Sequence, residues 1–374
     1  MIEKYMDSPE ISTNELLKQP IPIEAGQVPA RKEIPIKECG ELLVPLGPFT
    51  DFHQIATNSI YFGERADSLY RQLEGSLMTM FTRKGAAEKL AVAQKILPYN
   101  MYLVVFDSYR SLQVQQSLYD AYYNPLKELH PEYDDKELAE MTQGYVSLPS
   151  SNPNKPSPHN TGGSVDVIIY KLPELANNQV KAIDQQIASL YTRKLPLYRR
   201  MFMPKEKIKE WEKTTGLQAF ELEMQKMKII NEQAHLLDFG TAFDYGDKEA
   251  ALTYYEQLSQ TRELAKKEIE QRDNRRFLYN VMTAAEFQGY KDEWWHFNYG
   301  NQMAASTVKD LFAIYGAAIF SAENQEFENI KLGHRERMIT MRKGLLPANK
   351  LGCGLYELTK AFQLSQKSNK RSRY

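Results

Sequence analysis

Ser157-Pro158-His159-Asn160-Thr161-Gly162-Gly163-Ser164-Val165-Asp166-Val167-Ile168-Ile169-Tyr170 joins a proline-rich loop to an apolar run. Val165–Tyr170 alternates and is rich in β-branched residues, the pattern of a strand. Residues 147–158 before it contain four prolines among Ser and Asn, which supports neither a helix nor a ladder. Gly162 and Gly163 permit φ values that other residues avoid, so the loop can turn back onto its own strand. Such a turn can bring His159 and Asp166 to one point. A neutral imidazole and a carboxylate are both common zinc ligands, at ~2.0–2.2 Å. Alone, the stretch also reads as a β-turn followed by a strand with a solvent-facing Asp166.

Outward from this stretch, Tyr102–Phe106 is a short buried-strand signal that stops at Asp107-Ser108. Arg110 follows it. A guanidinium there gives a pocket a charge that pH does not remove and a fork that fits an oxyanion or carboxylate. Its structural alternative is a pairing with Asp107. On the other side lies Asp292-Glu293-Trp294-Trp295-His296, with two of the chain's three tryptophans adjacent. A carboxylate three residues before a metal-bound His can take a proton from an attacking water. The same residues also read as an aromatic core strand ending in polar groups. Residues i and i+3 point to opposite faces of a regular strand, so Glu293 and His296 can share a site only at a strand end, a bulge or a turn. Together the three stretches supply two His, one Asp, one Glu and one Arg. Three protein ligands on zinc leave a fourth position for water, the catalytic pattern, and the set contains no Cys.

The rest of the 374 residues constrains the class of protein. The balance of 47 Lys+Arg against 48 Asp+Glu, net −1, excludes a dedicated nucleic-acid binder, which is usually strongly basic. Cys39 and Cys353 cannot form a disulfide framework. The longest apolar run, Leu311–Phe320, is half the ~20 residues of a membrane span. No signal-peptide pattern opens the chain, so a cytoplasmic protein is expected, or a periplasmic one if the chain is a processed form. Residues 1–45 carry Pro20, Pro22, Pro29 and Pro35 and are expected to be extended or loosely packed. Helical patterns run over Tyr70–Leu97 and Ser111–Tyr123. Within 171–234, Ile183, Ile187, Leu190 and Tyr191 mark one amphipathic helix. Leu217, Phe220, Met224 and Met227 mark a second, with breaks near Pro196 and Pro204. A further charged helical pattern covers Asp247 to about Val281. Residues 366–374 form a basic tail.

These motifs resemble the zinc-dependent D-alanyl-D-alanine dipeptidases, related to zinc D,D-carboxypeptidases of the cell wall. The likeness rests on Tyr109-Arg110, then Ser157-Pro158-His159 with Asp166, then Gly240-Thr241-Ala242-Phe243-Asp244, then Asn274-Arg275-Arg276, then Glu293-Trp294-Trp295-His296. The resemblance implies an α+β fold, an antiparallel sheet carrying the metal with helices packed on it. It implies one zinc ion on His159, Asp166 and His296. Glu293 would take the proton of the attacking water and pass it to the leaving amine, and Arg110 would stabilise the oxyanion. Ser157 and Asp244 would bind the substrate's free amino terminus. The expected activity is hydrolysis of a small dipeptide, D-Ala-D-Ala first, with no nucleic acid and no membrane span as partner. The alternatives are a D,D-carboxypeptidase or endopeptidase on peptidoglycan stems, which needs export, or a zinc-binding relative without turnover.

The chain departs from the family pattern at Ser111, where a Pro is usual, and at Pro158, where a small polar residue is usual. It also carries an insertion at 171–234. The expected layout is a catalytic domain of 46–170 and 235–305, an N-terminal extension of 1–45, and a C-terminal extension of 306–374. The insertion would be mainly helical and a possible lid. His53, His130, His235 and His334 have no partner pattern, and Asn274-Arg275-Arg276 reads as structural.

Overall fold

A computed structural model describes residues 17–47, 50, 52, 54–62, 73–77, 80–143, 146–192 and 204–318. In chain order the elements are β1 (Leu43–Pro45), β2 (Ala56–Thr57), β3 (Phe81–Arg83), α1 (Lys84–Ile96), β4 (Met101–Asp107), α2 (Leu112–Leu129), α3 (Asp135–Gln143), β5 (Ser164–Lys171), α4 (Glu174–Thr192) and α5 (Lys205–Gln233). They continue with β6 (His235–Leu236), α6 (Tyr254–Thr261), α7 (Lys266–Ala284), β7 (Gln288–Tyr290), β8 (Glu293–Asn298) and α8 (Gln302–Val308). The fold is α+β, as expected. One sheet runs β2-β4-β5-β8-β7, with β6 also paired to β5, and a two-stranded β1-β3 ribbon stands apart. Only β2–β4 pairs parallel in the larger sheet; its other pairings are antiparallel.

β5 is the central strand. Its residues Ser164–Tyr170 are all buried, so both faces are covered despite the alternating pattern. β8 pairs with one end of β5, at Ser164–Asp166, and β6 with the other, at Tyr170–Lys171. The register places Asp107 opposite Asp166, and Asp166 opposite His296. Three chemically distinctive residues from distant parts of the chain thus form one row across the sheet, where directly opposed side chains are ~4.5–5.5 Å apart at Cβ.

Of the helix patterned over Tyr70–Leu97, residues 70–72 and 78–79 lie outside the described residues, 73–77 are turn and loop, and the described helix begins at Lys84. Ahead of it, Phe81–Arg83 is drawn into pairing with Leu43–Pro45. The span from Asp247 splits into a 3-10 turn, α6 and α7, separated by extended backbone at Arg262. Ser111 caps α2, its hydroxyl accepting from the Val114 N–H at 3.2 Å, so the departure from the family pattern supplies a helix start.

Of the N-terminal extension, residues 1–16 lie outside the described residues. The part from Leu17 to Pro45 has turns, one 3-10 turn at Arg31–Glu33 and the short strand β1, and though much of its surface is exposed it is anchored at several points. Leu17 and Ile21 are buried, and the Ile21 N–H donates to Glu256 at 3.1 Å. Asn280 donates to the Gln19 carbonyl at 2.9 Å, and Ser306 to that of Pro29 at 2.6 Å. Arg83, also buried, makes a 3.0 Å ion pair with Glu38 and donates to the Thr161 carbonyl at 2.8 Å. The segment therefore straps the helices and the His159 loop together.

The insertion forms a two-helix arm. Ala176 and Val180 of α4, with Ile230 of α5, join the main core. Ile183, Ile187 and Ala219 are buried farther along the pair, outside that core. Its polar contacts at the root include Asn177 with Tyr102 and with the Tyr99 carbonyl, and Lys181 over the Tyr99 ring. These lie at the Lys171 end of β5, five residues and roughly 16 Å from Asp166. The connection 193–203, the side chains of Tyr191, Leu217, Phe220, Met224 and Met227, His53, His334 and residues 319–374 lie outside the described residues. No described helix is long and apolar enough to cross a membrane.

Candidate metal centre

His159 opens a 3-10 turn, His159–Thr161, that ends at Gly162 with φ +70°. The turn is pinned to the chain beside Arg110. The Arg110 N–H donates to the His159 carbonyl at 3.1 Å, and Asn160 donates to the Arg110 carbonyl at 3.2 Å. Gly163 packs against the Tyr299 carbonyl so closely that a side chain would collide with it. Gly162 therefore uses the φ freedom the sequence suggested for both glycines, whereas Gly163 serves by its size.

The loop delivers His159 to the row on the sheet. Its Nε2 lies 3.2 Å from His296 Nδ1 and 3.5 Å from Asp166 Oδ2, and His296 Nδ1 lies 3.0 Å from Asp166 Oδ1. All three residues are buried, so Asp166 does not face solvent. Their outer hydrogen bonds fix the tautomers. His159 Nδ1 lies 2.8 Å from the Ser108 carbonyl, which can only accept. His296 Nε2 lies 3.0 Å from Asn298 Oδ1, which also accepts from Ser164 at 2.7 Å and Asn301 at 2.9 Å. Both outer nitrogens therefore carry the hydrogens. The inner two turn lone pairs toward each other beside a carboxylate, an arrangement that repels itself unless a cation sits among them. The cluster fits a divalent metal held by two imidazoles and a carboxylate, with the Ser108 carbonyl and Asn298 fixing the far sides of the rings. Its electrostatics agree. Burial alone would lower the His159 pKa, but Asp166 and Asp107 outweigh it and raise it. Burial would raise the Asp166 carboxyl, yet the two imidazoles hold it well below its usual range.

Glu293 begins β8, and the β7–β8 register shifts between Gly289 and Tyr290. This strand end and bulge let Glu293 and His296 face one site, with Glu293 Oε2 3.6 Å from His296 Nδ1. Its side chain keeps 36% of its surface, yet protein closes around it, and burial pushes its pKa up to about 7. Asp166 and Asp244 add to that rise, while His296 and Arg110 oppose it. Trp294 and Trp295 are core residues, as the structural reading held. Trp294 stacks on Phe239 at 4.3 Å and donates to Thr241 at 2.8 Å, steadying the loop that carries Asp244.

Arg110 is buried, and it does pair with Asp107. Nη2 and Nε lie 2.6 and 2.9 Å from Asp107 Oδ2. Nη1 donates to Gln115 at 2.9 Å and Nη2 to the Tyr61 hydroxyl at 3.1 Å. Tyr61 in turn donates to Asp244 Oδ2 at 3.2 Å. Asp244 holds φ +57°, a left-handed backbone that Asp tolerates better than most residues. Ser157 is half-buried two residues before His159, and its carbonyl accepts from the Asn160 N–H at 3.0 Å.

Three supporting residues, Tyr61, Asn298 and Asn301, escaped the sequence reading, and Asp107 was read only as a partner of Arg110. Asp107, 3.2 Å from His159 Nδ1, serves both that imidazole and Arg110. Its place at the end of the Tyr102–Phe106 strand was the available signal. Tyr61, Asn298 and Asn301 carried none. Arg275 and Arg276 are structural, as expected. Arg276 pairs with Glu256 at 2.5 Å, whereas Arg275 donates to the Phe239, Ala251 and Glu249 carbonyls. Burial lowers the Arg275 pKa to about 10. His235 is exposed on β6, and His130 pairs with Glu132 at the surface.

Residues 222–314 match the family model described as D-ala-D-ala dipeptidase. The resemblance to the D-Ala-D-Ala dipeptidases holds. That match includes Asp244, Glu293 and His296. A D-alanyl-D-alanine dipeptidase of Synechocystis sp. is 23% identical over 284 residues, spanning 73% of this chain and 87% of the relative. Both likenesses point to a peptidase-type hydrolase, and the buried His159-Asp166-His296 cluster can hold a metal.

Proposed function

We propose that the protein is a zinc metallopeptidase that hydrolyses a dipeptide with a free amino end, D-Ala-D-Ala first among candidates. The observation that carries this is the pair of inward imidazole nitrogens, His159 Nε2 and His296 Nδ1, 3.2 Å apart beside Asp166, with Glu293 3.6 Å from His296. Zinc bound by these three residues would supply Lewis acidity toward a water and the scissile carbonyl.

The chain's own groups do the rest. Glu293, with a pKa pushed up to about 7, is a base matched to neutral pH. It takes a proton from the attacking water and returns it to the leaving amine. Arg110 offers a fixed positive charge to the developing oxyanion, and Asp107 orients it. Asp244 supplies a carboxylate for the substrate ammonium, with Ser157 at the rim of the His159 turn. Asp107 and the Ser108 carbonyl keep the His159 tautomer, and Asn298 keeps that of His296.

The test is zinc content of the purified protein together with turnover of L,L-, L,D- and D,D-dipeptides and of a longer stem peptide. Stoichiometric zinc with preferred cleavage of a free D,D-dipeptide is expected. Preference for the stem peptide would assign a carboxypeptidase instead, and bound zinc without any hydrolysis a non-catalytic relative.

A further inference from the structure

We propose that Tyr61 is a positioning residue that ties the Asp244 carboxylate to the Arg110 guanidinium and so restricts the substrate to a free amino group one residue from the scissile carbonyl. This rests on the reading above of Arg110 and Asp244 as the contacts for oxyanion and ammonium. The Tyr61 hydroxyl has one hydrogen, and its direction is fixed by its neighbours. A guanidinium only donates, so the oxygen accepts from Arg110 Nη2 at 3.1 Å; a carboxylate only accepts, so the hydrogen goes to Asp244 Oδ2 at 3.2 Å. Both charged groups thus hang on a single oxygen atom.

That atom is itself immobile. Tyr61 is buried, its ring lies under the Arg110 guanidinium at 5.0 Å, and its carbonyl accepts from the Leu73 N–H at 3.0 Å. Arg110 is held from the other side by Asp107 and Gln115. Asp244 approaches on a left-handed backbone, which limits where its short side chain can reach. Arg110 Nη2 and Asp244 Oδ2 are therefore no more than two hydrogen-bond lengths apart. That separation suits the amino nitrogen and carbonyl oxygen of one residue, and each further residue would add ~3.3–3.6 Å. The hydroxyl gives the pocket its measure; the ring alone would give only packing.

Tyr61→Phe removes the hydroxyl and keeps the ring, so it separates the two roles. The experiment measures kcat and KM of the zinc-loaded wild type, Tyr61→Phe, Asp244→Asn and the double variant on D-Ala-D-Ala and on its N-acetyl form. Metal content is measured on the same samples. For Tyr61→Phe we expect unchanged zinc, KM for the free dipeptide raised about tenfold, kcat within about threefold, and N-acetyl kinetics unaltered. The double variant should be no worse than Asp244→Asn. The free-to-acetyl preference is taken within one preparation, so a change in folded fraction cancels. An unchanged preference in Tyr61→Phe, or fully additive losses in the double variant, would overturn the proposal. Wild-type protein that hydrolyses neither dipeptide would refute the proposed activity instead. Calorimetric binding of the same two dipeptides to wild type and Tyr61→Phe would then decide the Tyr61 question, with equal preference again counting against it.

Discussion

At one end of β5, Asp166 is buried with His159 and His296; in the helical arm, Glu223 is buried with Lys226 near Asp184. The two clusters are held by different means. In the first, every outer contact ends on a strand or its neighbouring loop: Ser108 and Asp107 behind His159, and Asn298 behind His296. In the second the partners are long side chains, Lys226 at 2.7 Å from Asp184 and 4.0 Å from Glu223, and Glu223 Oε2 has no hydrogen-bond partner among the described residues. Burial accordingly raises Glu223 to about 7, while the imidazoles drive Asp166 the opposite way. A preorganised frame can keep a carboxylate charged in the interior, and a flexible partner does so only in part.

The largest expected effect strikes the first cluster. His296→Ala should reduce bound zinc from about one per chain to near zero and abolish dipeptide turnover, which metal analysis and kinetics check together. Full zinc in that variant would break the contrast, because the frame would not be a metal frame. Next, Glu293→Ala should keep zinc and lose about 10²–10⁴-fold in kcat. Wild-type-like turnover would remove Glu293 from the role of base.

The pH profile sharpens the same point. A carboxyl raised to about 7 is protonated below that value and useless as a base, so kcat/KM should rise with pH. A bound cation favours the charged form, so the midpoint should fall at or below about 7. A midpoint well above 7 would contradict the assignment.

The smallest effect belongs to the arm. The Glu223 pKa is raised from 4.5 to about 7, so the folded chain binds the proton more tightly than the unfolded one. Stability should then fall as pH rises from about 4.5 to 7 and level off above. Glu223→Gln should stabilise by on the order of 3 kcal/mol at pH 8, and by little below pH 4.5. Turnover should not change, since the arm is rooted at the Lys171 end of β5, away from Asp166. Urea titrations at the two pH values test the first claim. A loss of turnover in Glu223→Gln would instead support a lid role for the insertion.

Much of the site was legible in the sequence because its parts are local. The Gly162-Gly163 reversal, the β-branched run after it and the paired tryptophans depend on neighbours within a few residues. The strand at Phe81–Arg83 was not legible, since it exists only by pairing with Leu43–Pro45. Nor was the anchoring of residues 17–30, whose partners Glu256, Asn280 and Ser306 lie more than 200 positions away.

By itself the sequence determined which residue types could do chemistry and which elements would carry them, because propensity and spacing act over a few residues. Only the tertiary structure decided that Asp107, Asp166 and His296 share one row, that a bulge turns Glu293 toward His296, and that one tyrosine oxygen joins Arg110 to Asp244. Register and packing are set by contacts between distant segments, and a one-residue slip of β8 against β5 would leave every residue type in place and no site at all.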